Sequence, residues 1–125
     1  MSLVMLHALR IGLLAACLVF FHKAHAEELV FLSVLEDVPL MSGLSEQTDD
    51  TIYFDTPGGR IVEAYAVGTV TKESILTYYK ESLASLGWNR TAHGTYVREN
   101  EFLSISVKME GANAIVRFAL SPDGK

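Results

Sequence analysis

The sequence predicts an α+β fold, an antiparallel sheet of about five to six strands with one main helix packed on one face, in the order β-β-β-α-β-β-β. Apolar residues recur at helical spacing between residues 72 and 86. Residues 95–98, 101–109 and 114–120 instead alternate apolar and polar residues, and short turns separate them. This pattern is typical of an antiparallel meander that follows the helix.

The N-terminal part predicts a strand followed by a long surface loop. Residues 29–35 (LVFLSVL) are apolar on both alternating faces, as a strand covered on both sides requires. Residues 37–50 contain proline, glycine, serine and paired aspartate without periodicity, which indicates a loop. The apolar residues of this loop are expected to hold it down by packing: Pro39, Leu40, Met41 and Leu44.

A hairpin follows the loop. Residues 52–54 and 60–67 flank a turn whose proline presets the first dihedral angle and whose glycines accept a positive φ. Glu63 lies in the second strand of this hairpin. The expected outcome for its side chain is a carboxylate on the sheet surface, near Arg98 or Arg117.

The helix has a start signal, an apolar stripe and a stop signal. Thr71 precedes it and can accept a hydrogen bond from a free amide of the first turn. Gly87 tolerates the left-handed backbone that ends a helix, and Trp88 can then fold back onto Leu83. The stripe that is expected to face the sheet has five residues: Ile75, Leu76, Tyr79, Leu83 and Leu86.

Alternation assigns the side chains of the last strands to two faces of the sheet. The residues expected to face the core are Leu103, Ile105, Val107, Met109, Val116, Phe118 and Leu120. The residues expected to face outward are Ser104, Ser106, Lys108 and Arg117. The outer face must then be solvated, covered by the loop at 37–50, or paired with another molecule.

The first 26 residues have the features of a cleavable secretory signal. Arg10 supplies a positive charge, and residues 11–21 form an apolar run of eleven residues, whereas a helix that spans a bilayer needs about 20. Ala24 and Ala26 are small residues that signal peptidase accepts at its cleavage site. The sequence therefore predicts a signal peptide and one small domain at residues 27–125. This domain is expected to be periplasmic or secreted and to meet the membrane only transiently, through the signal.

A bacterial lipobox is the alternative within the same segment, because Leu-Ala-Ala precedes Cys17. Acylation of Cys17 would give a lipid-anchored envelope protein. Residues 18–21 are apolar, however, where lipoproteins carry a polar tether. Cys17 is therefore better explained as a small apolar residue of the signal core.

Charge and cysteine content restrict the class of partner. Without the signal, the chain has 8 basic and 15 acidic residues, a net charge of −7. This balance disfavours nucleic acid and anionic lipid headgroups, both of which require clustered Lys and Arg. No cysteine follows Cys17, so the domain forms no disulfide and depends on packing for its stability.

Three stretches together resemble a family of small exported bacterial proteins of unknown function, of the Gram-negative, proteobacterial type. They are residues 35–44 (LEDVPLMSGL), residues 54–61 (FDTPGGRI) and residues 79–88, which end in Leu-Gly-Trp. The similarity covers most of the chain after the signal. It implies export and a common fold, and it implies no activity, cofactor or catalytic residue.

No cofactor and no metal site are predicted from the sequence. His93 is the only histidine after the signal and no cysteine accompanies it, so the ligand sets that zinc and copper prefer are missing. Four carboxylates lie close together in sequence, with a spacing that fits no EF-hand loop: Glu46, Asp49, Asp50 and Asp55. The nucleophile elbow, the phosphate-binding glycine loop and the nicotinamide fingerprint are also absent from the sequence.

The leading hypothesis is a non-catalytic exported domain that binds a protein or another cell-envelope component. Its contact surface is expected on the open sheet face or on the loop, and Tyr78 is expected to point away from the sheet. The candidate surface residues are Pro39, Leu40, Met41, Leu44 and Tyr78. The alternative is a small periplasmic hydrolase or ligand-binding enzyme that uses His93 or Glu63 near the tyrosines. This alternative requires a concave pocket that contains at least two of these groups.

Overall fold

The computed structural model describes residues 28–122. Within this range the chain forms one α-helix and seven strands of an antiparallel sheet, so the predicted α+β class is confirmed with more strands than the five or six expected. The elements are β1 (Ser45–Glu46), a 3-10 helix (Thr48–Asp50), β2 (Ile52–Thr56), β3 (Gly59–Gly68), α1 (Lys72–Ser85), β4 (Asn89–Ala92), β5 (Thr95–Arg98), β6 (Glu101–Glu110) and β7 (Asn113–Ser121). The predicted signal, with Arg10, Cys17, Ala24 and Ala26, lies outside the described residues.

The strand order is β1-β3-β7-β6-β5-β4, and β2 also pairs with β3. β1 pairs with the C-terminal part of β3, and β2 pairs with its N-terminal part. Because β7 occupies the other side of β3, β1 and β2 share one edge of this strand. Consequently β1 and β2 together form one edge of the sheet, and β4 forms the other.

The core lies between one sheet face, α1 and the segment at residues 31–44. Alternation along the strands turns every second side chain toward α1, and most of these side chains are small or branched. The Tyr79 ring of α1 meets the Phe118 ring of β7 edge-on, at a centroid distance of 5.3 Å. The buried strand residues are Val62, Ala64, Ala66, Tyr96, Leu103, Ile105, Ala114, Val116, Phe118 and Leu120. The helix contributes Ile75, Tyr79 and Leu83, and the N-terminal segment contributes Leu32, Leu35, Val38 and Leu44.

Both predicted ends of the helix are confirmed. The side chain of Thr71 accepts a hydrogen bond from the Ser74 amide at 3.2 Å. At the other end, Gly87 has φ +91° and the Trp88 amide donates to the Leu83 carbonyl at 3.0 Å, as in a Schellman motif. The indole of Trp88 is buried, so the stop signal also fixes part of the core.

The predicted strand at residues 29–35 is wrong. The segment turns back on itself, because the Leu32 amide donates to the Val38 carbonyl at 2.9 Å and the Leu40 amide donates to the Val30 carbonyl at 2.6 Å. Only an isolated bridge, between Phe31 and Pro39, has strand geometry. The edge of β3 that an additional strand would use is already occupied by β1 and β2.

Further expectations differ from the structure. The loop expected at residues 37–50 contains β1 and the 3-10 helix, and Leu76 of the expected helix stripe is only partly buried and lies outside the core. β4 was not predicted, since its sequence Asn-Arg-Thr-Ala is polar and all four of its residues are exposed. Met109 was expected in the core but is 39% exposed, because it pairs with Ala114 close to the β6–β7 turn, at the margin of the covered face. The remaining core assignments of β6 and β7 are confirmed, with Val107 partly buried.

Candidate functional site

The sheet face opposite α1, called the open face below, consists of the outward-facing residues of β2, β3, β5, β6 and β7. None of these outward-facing residues is buried by another part of residues 28–122. Sheets of this kind often present one face to solvent, and that face is then polar. Here part of the open face is apolar, which makes it a candidate binding surface.

An apolar row crosses the open face near the β2–β3 turn. Phe54 of β2 pairs with Ile61 of β3, and their side chains are 60% and 38% exposed. On the other side of β7, Phe102 of β6 pairs with Val97 of β5, and both are half-buried. Ser121 of β7 pairs with Phe102 and separates the two apolar pairs. The row therefore has large side chains at its two ends and a small one in its middle.

A cavity of about 390 Å³ lies beside this row and is called the hollow below. The small side chains of Ser104 and Ala119, which pair across β6 and β7, leave this space between larger neighbours. Its outward-facing lining residues are Ile61, Glu63, Thr95, Phe102, Ser104, Arg117, Ala119 and Ser121. The hollow thus combines apolar walls with a few polar groups, which is the composition of many ligand and peptide sites.

The charged groups of the hollow neutralise each other. The Arg117 guanidinium donates to the Glu63 carboxylate across β3 and β7, which confirms the expected neighbour of Glu63. This hydrogen bond raises the pKa of Arg117. The Tyr65 hydroxyl lies 3.5 Å from the second carboxylate oxygen of Glu63. Because both charges are paired, the hollow offers oriented polar atoms and no free base.

The structure separates His93 from Glu63, the two acid-base candidates of the hydrolase alternative. His93 lies exposed in the β4–β5 turn, with its Nδ1 3.0 Å from an Nη of Arg90. In the described part of the chain, Glu63 lines the hollow and His93 does not. Glu63 does have a tyrosine beside it, since the Tyr65 hydroxyl lies 3.5 Å from its carboxylate, but this carboxylate is already paired with Arg117.

The predicted surface at residues 39–44 is mostly occupied by packing. Pro39 and Leu44 are buried, which leaves them little area to offer a partner. The Tyr79 hydroxyl donates to the Pro39 carbonyl at 2.8 Å and accepts from the Met41 amide at 3.2 Å. The expected pinning of the loop by its apolar residues is confirmed, and this pair of hydrogen bonds was not predicted. Met41 itself is partly buried against the core.

Leu40 and Tyr78 are the members of the predicted surface that reach a cavity. With Leu29, Val30 and two polar residues they line an open depression of about 430 Å³. Tyr78 packs partly against the core and meets Tyr79 edge-on at 5.0 Å, and burial raises its pKa. It does not point freely into solvent, because the N-terminal segment lies alongside the helix.

A cluster of ion pairs joins the N-terminal segment to the end of the sheet. Arg98 donates to the Asp37 carboxylate and stacks over the Trp88 ring at 4.6 Å. Arg60 forms a two-pronged ion pair with Glu101, at 2.9 and 3.1 Å, and lies 3.8 Å from Asp37. These groups are about three-quarters buried, so the cluster has a structural role in docking the segment.

The four carboxylates that lie close together in sequence, Glu46, Asp49, Asp50 and Asp55, do not converge on one site. Glu46 accepts from the Ser33 amide at 2.8 Å, and Asp55 accepts from the Tyr53 hydroxyl at 3.2 Å. Residues 28–122 contain no group of three or more side chains that could hold a metal ion. In the same range, no helix has the length and apolar character to cross a membrane.

No protein-family model matches the chain, and no curated protein and no solved structure matches it either. The resemblance to small exported bacterial proteins therefore stays a prediction. The hollow was missed at the sequence level, although alternation placed Glu63 and Arg117 on the outer surface. Finding it requires the register of β6 against β7, which the sequence pattern alone does not supply.

Proposed function

We propose that the chain is a non-catalytic exported domain that binds a protein or another cell-envelope component through its open face. The observation that carries this proposal is the apolar row next to the hollow, on a sheet face that residues 28–122 leave uncovered. Full burial of one large apolar side chain contributes about 1.5–3 kcal/mol, so Phe54 and Ile61 would be effective anchors.

The outer surface of α1 is less suited to bind a partner than the open face. Its exposed residues include Lys72, Glu73, Lys80 and Glu81, which are well solvated and discourage burial against a partner. The open face has its charges paired and its apolar groups exposed, which is the reverse arrangement. A partner that covers the hollow would leave no unpaired charge behind, because Glu63 and Arg117 already compensate each other.

Export is part of the proposal and is supported by the first 26 residues. Their charged start, short apolar run and small residues at 24 and 26 fit a signal peptide. Fractionation and intact-mass measurement of the product test this part. A mature chain that starts at Glu27 in the periplasm is expected. A full-length cytosolic chain would contradict export, and a fatty-acyl mass on Cys17 would favour the lipid-anchored alternative.

Site-specific photo-crosslinking in intact cells tests the binding surface. A photoreactive residue at Ile61 or Thr95, beside the hollow, is expected to give a reproducible covalent adduct with a partner. The same residue at Lys80, on the exposed side of α1, is the control and should give none. Equal adducts at all three positions, or none at any, would contradict binding through the open face.

A filled hollow gives an independent test. Ala119→Leu places a larger side chain in the hollow while the position stays half-buried, so stability should change by less than about 1 kcal/mol. The adduct at Ile61 should fall by at least about tenfold, since the partner loses its complementary shape. An unchanged adduct would show that the hollow is not part of the contact.

A further inference from the structure

The outer edge of β2, called the β2 edge below, has free backbone groups. Thr56 and Gly59 close the hairpin as a mutually hydrogen-bonded pair, so alternation along the ladder turns the N–H and C=O groups of Tyr53 and Asp55 away from β3. No residue within 28–122 bonds to these outward-facing groups. The β2 edge is therefore a template onto which another strand can add.

The side chains of β2 are exposed on both faces of the strand. Tyr53 is 49% exposed on the α1 side, and Ile52 and Phe54 are 42% and 60% exposed on the open face. Edge strands are usually protected by charge, proline or a bulge. The opposite edge, β4, fits this pattern with its polar sequence. The β2 edge instead provides apolar contacts for both faces of an added strand.

Carboxylates flank this apolar strand at both ends. Asp49 and Asp50 lie in the 3-10 helix directly before β2, and Asp55 lies near its end, and all three are exposed. None of them forms an ion pair with another residue in the described range, although Asp55 accepts from the Tyr53 hydroxyl. Arg60 pairs with Asp55 across the ladder, but its guanidinium is engaged by Glu101, so the flanks of the β2 edge remain net negative.

This charge disfavours pairing between two copies of β2. In an antiparallel pair centred on Tyr53, Asp55 of each copy would lie opposite Thr51 and beside Asp50 of the other copy. Like charges would then meet at both ends of the pair. A foreign strand with Lys or Arg at its ends would meet opposite charges at the same places.

We propose that β2 accepts an extended segment of a partner protein as an additional strand. The segment has apolar residues in its middle and Lys or Arg at both ends. The proposal rests on the binding function proposed above and names the chemical class of the partner. The added strand would use the free groups of Tyr53 and Asp55 for backbone hydrogen bonds and would extend the open face.

Two synthetic peptides with the same alternating Val-Thr core test the charge preference. One carries two lysines at each end and the other carries two glutamates at each end. Each peptide is titrated onto the protein as purified from cells that express the whole gene. At low salt the lysine peptide should bind about 3–10-fold more tightly, with shifts of the Tyr53 and Asp55 amide NMR signals. Equal affinity, or shifts confined to the hollow or the β4 edge, would overturn the proposal.

A charge-reversed variant makes the test independent of folding losses. Asp50→Lys combined with Asp55→Lys should invert the preference, so that the glutamate peptide binds more tightly than the lysine peptide. A gain of binding with an unchanged circular dichroism spectrum is not explained by loss of folding. Failure of this variant to bind the glutamate peptide, with an unchanged circular dichroism spectrum, would refute the charge component.

Paired substitutions at Tyr53 test the backbone component. Tyr53→Ala removes the side chain and keeps the amide, whereas Tyr53→Pro also removes the outward N–H without breaking a bond to β3. Binding of the lysine peptide should be at least about threefold weaker for the proline variant than for the alanine variant. Equal binding by the two variants would contradict strand addition.

The two proposals can fail separately. If peptides do not bind at the β2 edge but Ile61 still crosslinks a partner, the open face binds without strand addition. If the peptide binds at the edge while Ile61 and Thr95 give no adduct, the edge is the contact and the open-face function is wrong. Self-association through β2 would appear as a concentration-dependent mass without peptide and would overturn the choice of partner.

Discussion

Replacement of Tyr79 by phenylalanine tests how the N-terminal segment is attached to the helix. Tyr79 is 1% exposed, and its hydroxyl joins the Pro39 carbonyl and the Met41 amide, at 2.8 and 3.2 Å. Phenylalanine keeps the ring contacts and leaves both backbone groups without this partner. A hydrogen bond contributes about 1 kcal/mol, and an unsatisfied buried group adds to the loss, so we expect destabilisation by about 2–3 kcal/mol.

Tyr78→Phe is the matched control, because Tyr78 is the adjacent residue and its hydroxyl forms no hydrogen bond in the described structure. It should cost less than about 0.5 kcal/mol. Urea or thermal unfolding, followed by circular dichroism and Trp88 fluorescence, measures both. For a domain of this size Tyr79→Phe should lower Tm by roughly 10–20 °C. Equal effects of the two variants would refute the structural role of the Tyr79 hydroxyl.

The pH dependence gives a second readout of the same contact. Burial raises the pKa of Tyr79 above that of an unfolded tyrosine, which is about 10. The neutral form is then favoured by folding, so the stabilisation is complete below pH 10 and is lost as the pH rises above it. Wild type should lose stability between pH 9 and about 11 more steeply than Tyr79→Phe. Parallel stability curves over this range would contradict the argument.

Two further predictions concern backbone packing and the buried ion pairs. A Cβ atom at Gly68 would overlap the carbonyl oxygen of Gly43, so Gly68→Ala should destabilise the domain by at least about 2 kcal/mol in a urea titration. Gly58→Ala is the control, because a Cβ atom there meets no close backbone atom, and it should change stability by less than about 1 kcal/mol. Asp37→Asn removes the carboxylate that pairs with Arg98 and should cost about 1–2 kcal/mol, with a smaller difference in 1 M salt than in dilute buffer if the charge is responsible.

Elements specified by local chemistry were predictable from the sequence. The cap at Thr71, the left-handed Gly87 and the hairpin turn each depend on residues within one turn of the chain. The alternation of Leu103 and Ile105 with serines depends only on the two-residue period of a strand. These features were correct because no distant contact competes with them.

The sequence predictions were wrong or incomplete where contacts between residues far apart in the chain determine the structure. Residues 29–35 have the composition of a buried strand, but β3 had no free edge for them. β4 has a polar sequence and exists because its backbone pairs with β5. Glu63 and Arg117 were placed on the outer surface by alternation, whereas the hollow between them depends on Ala119 lying opposite Ser104. Such register relations are properties of the assembled sheet.

The exposure of β2 links the stability of the domain to its proposed role. Phe54 is 60% exposed, so its ring adds little to the core, and its main described contact is the cross-strand pair with Ile61. Such a pair contributes roughly 0.2–1 kcal/mol, and Phe54→Thr should therefore cost no more than about 1 kcal/mol. A domain that keeps its Tm but loses its partner adduct would separate binding from folding at this position. A loss of 2 kcal/mol or more would instead mean that Phe54 stabilises the hairpin, and its exposure would then be no argument for a partner.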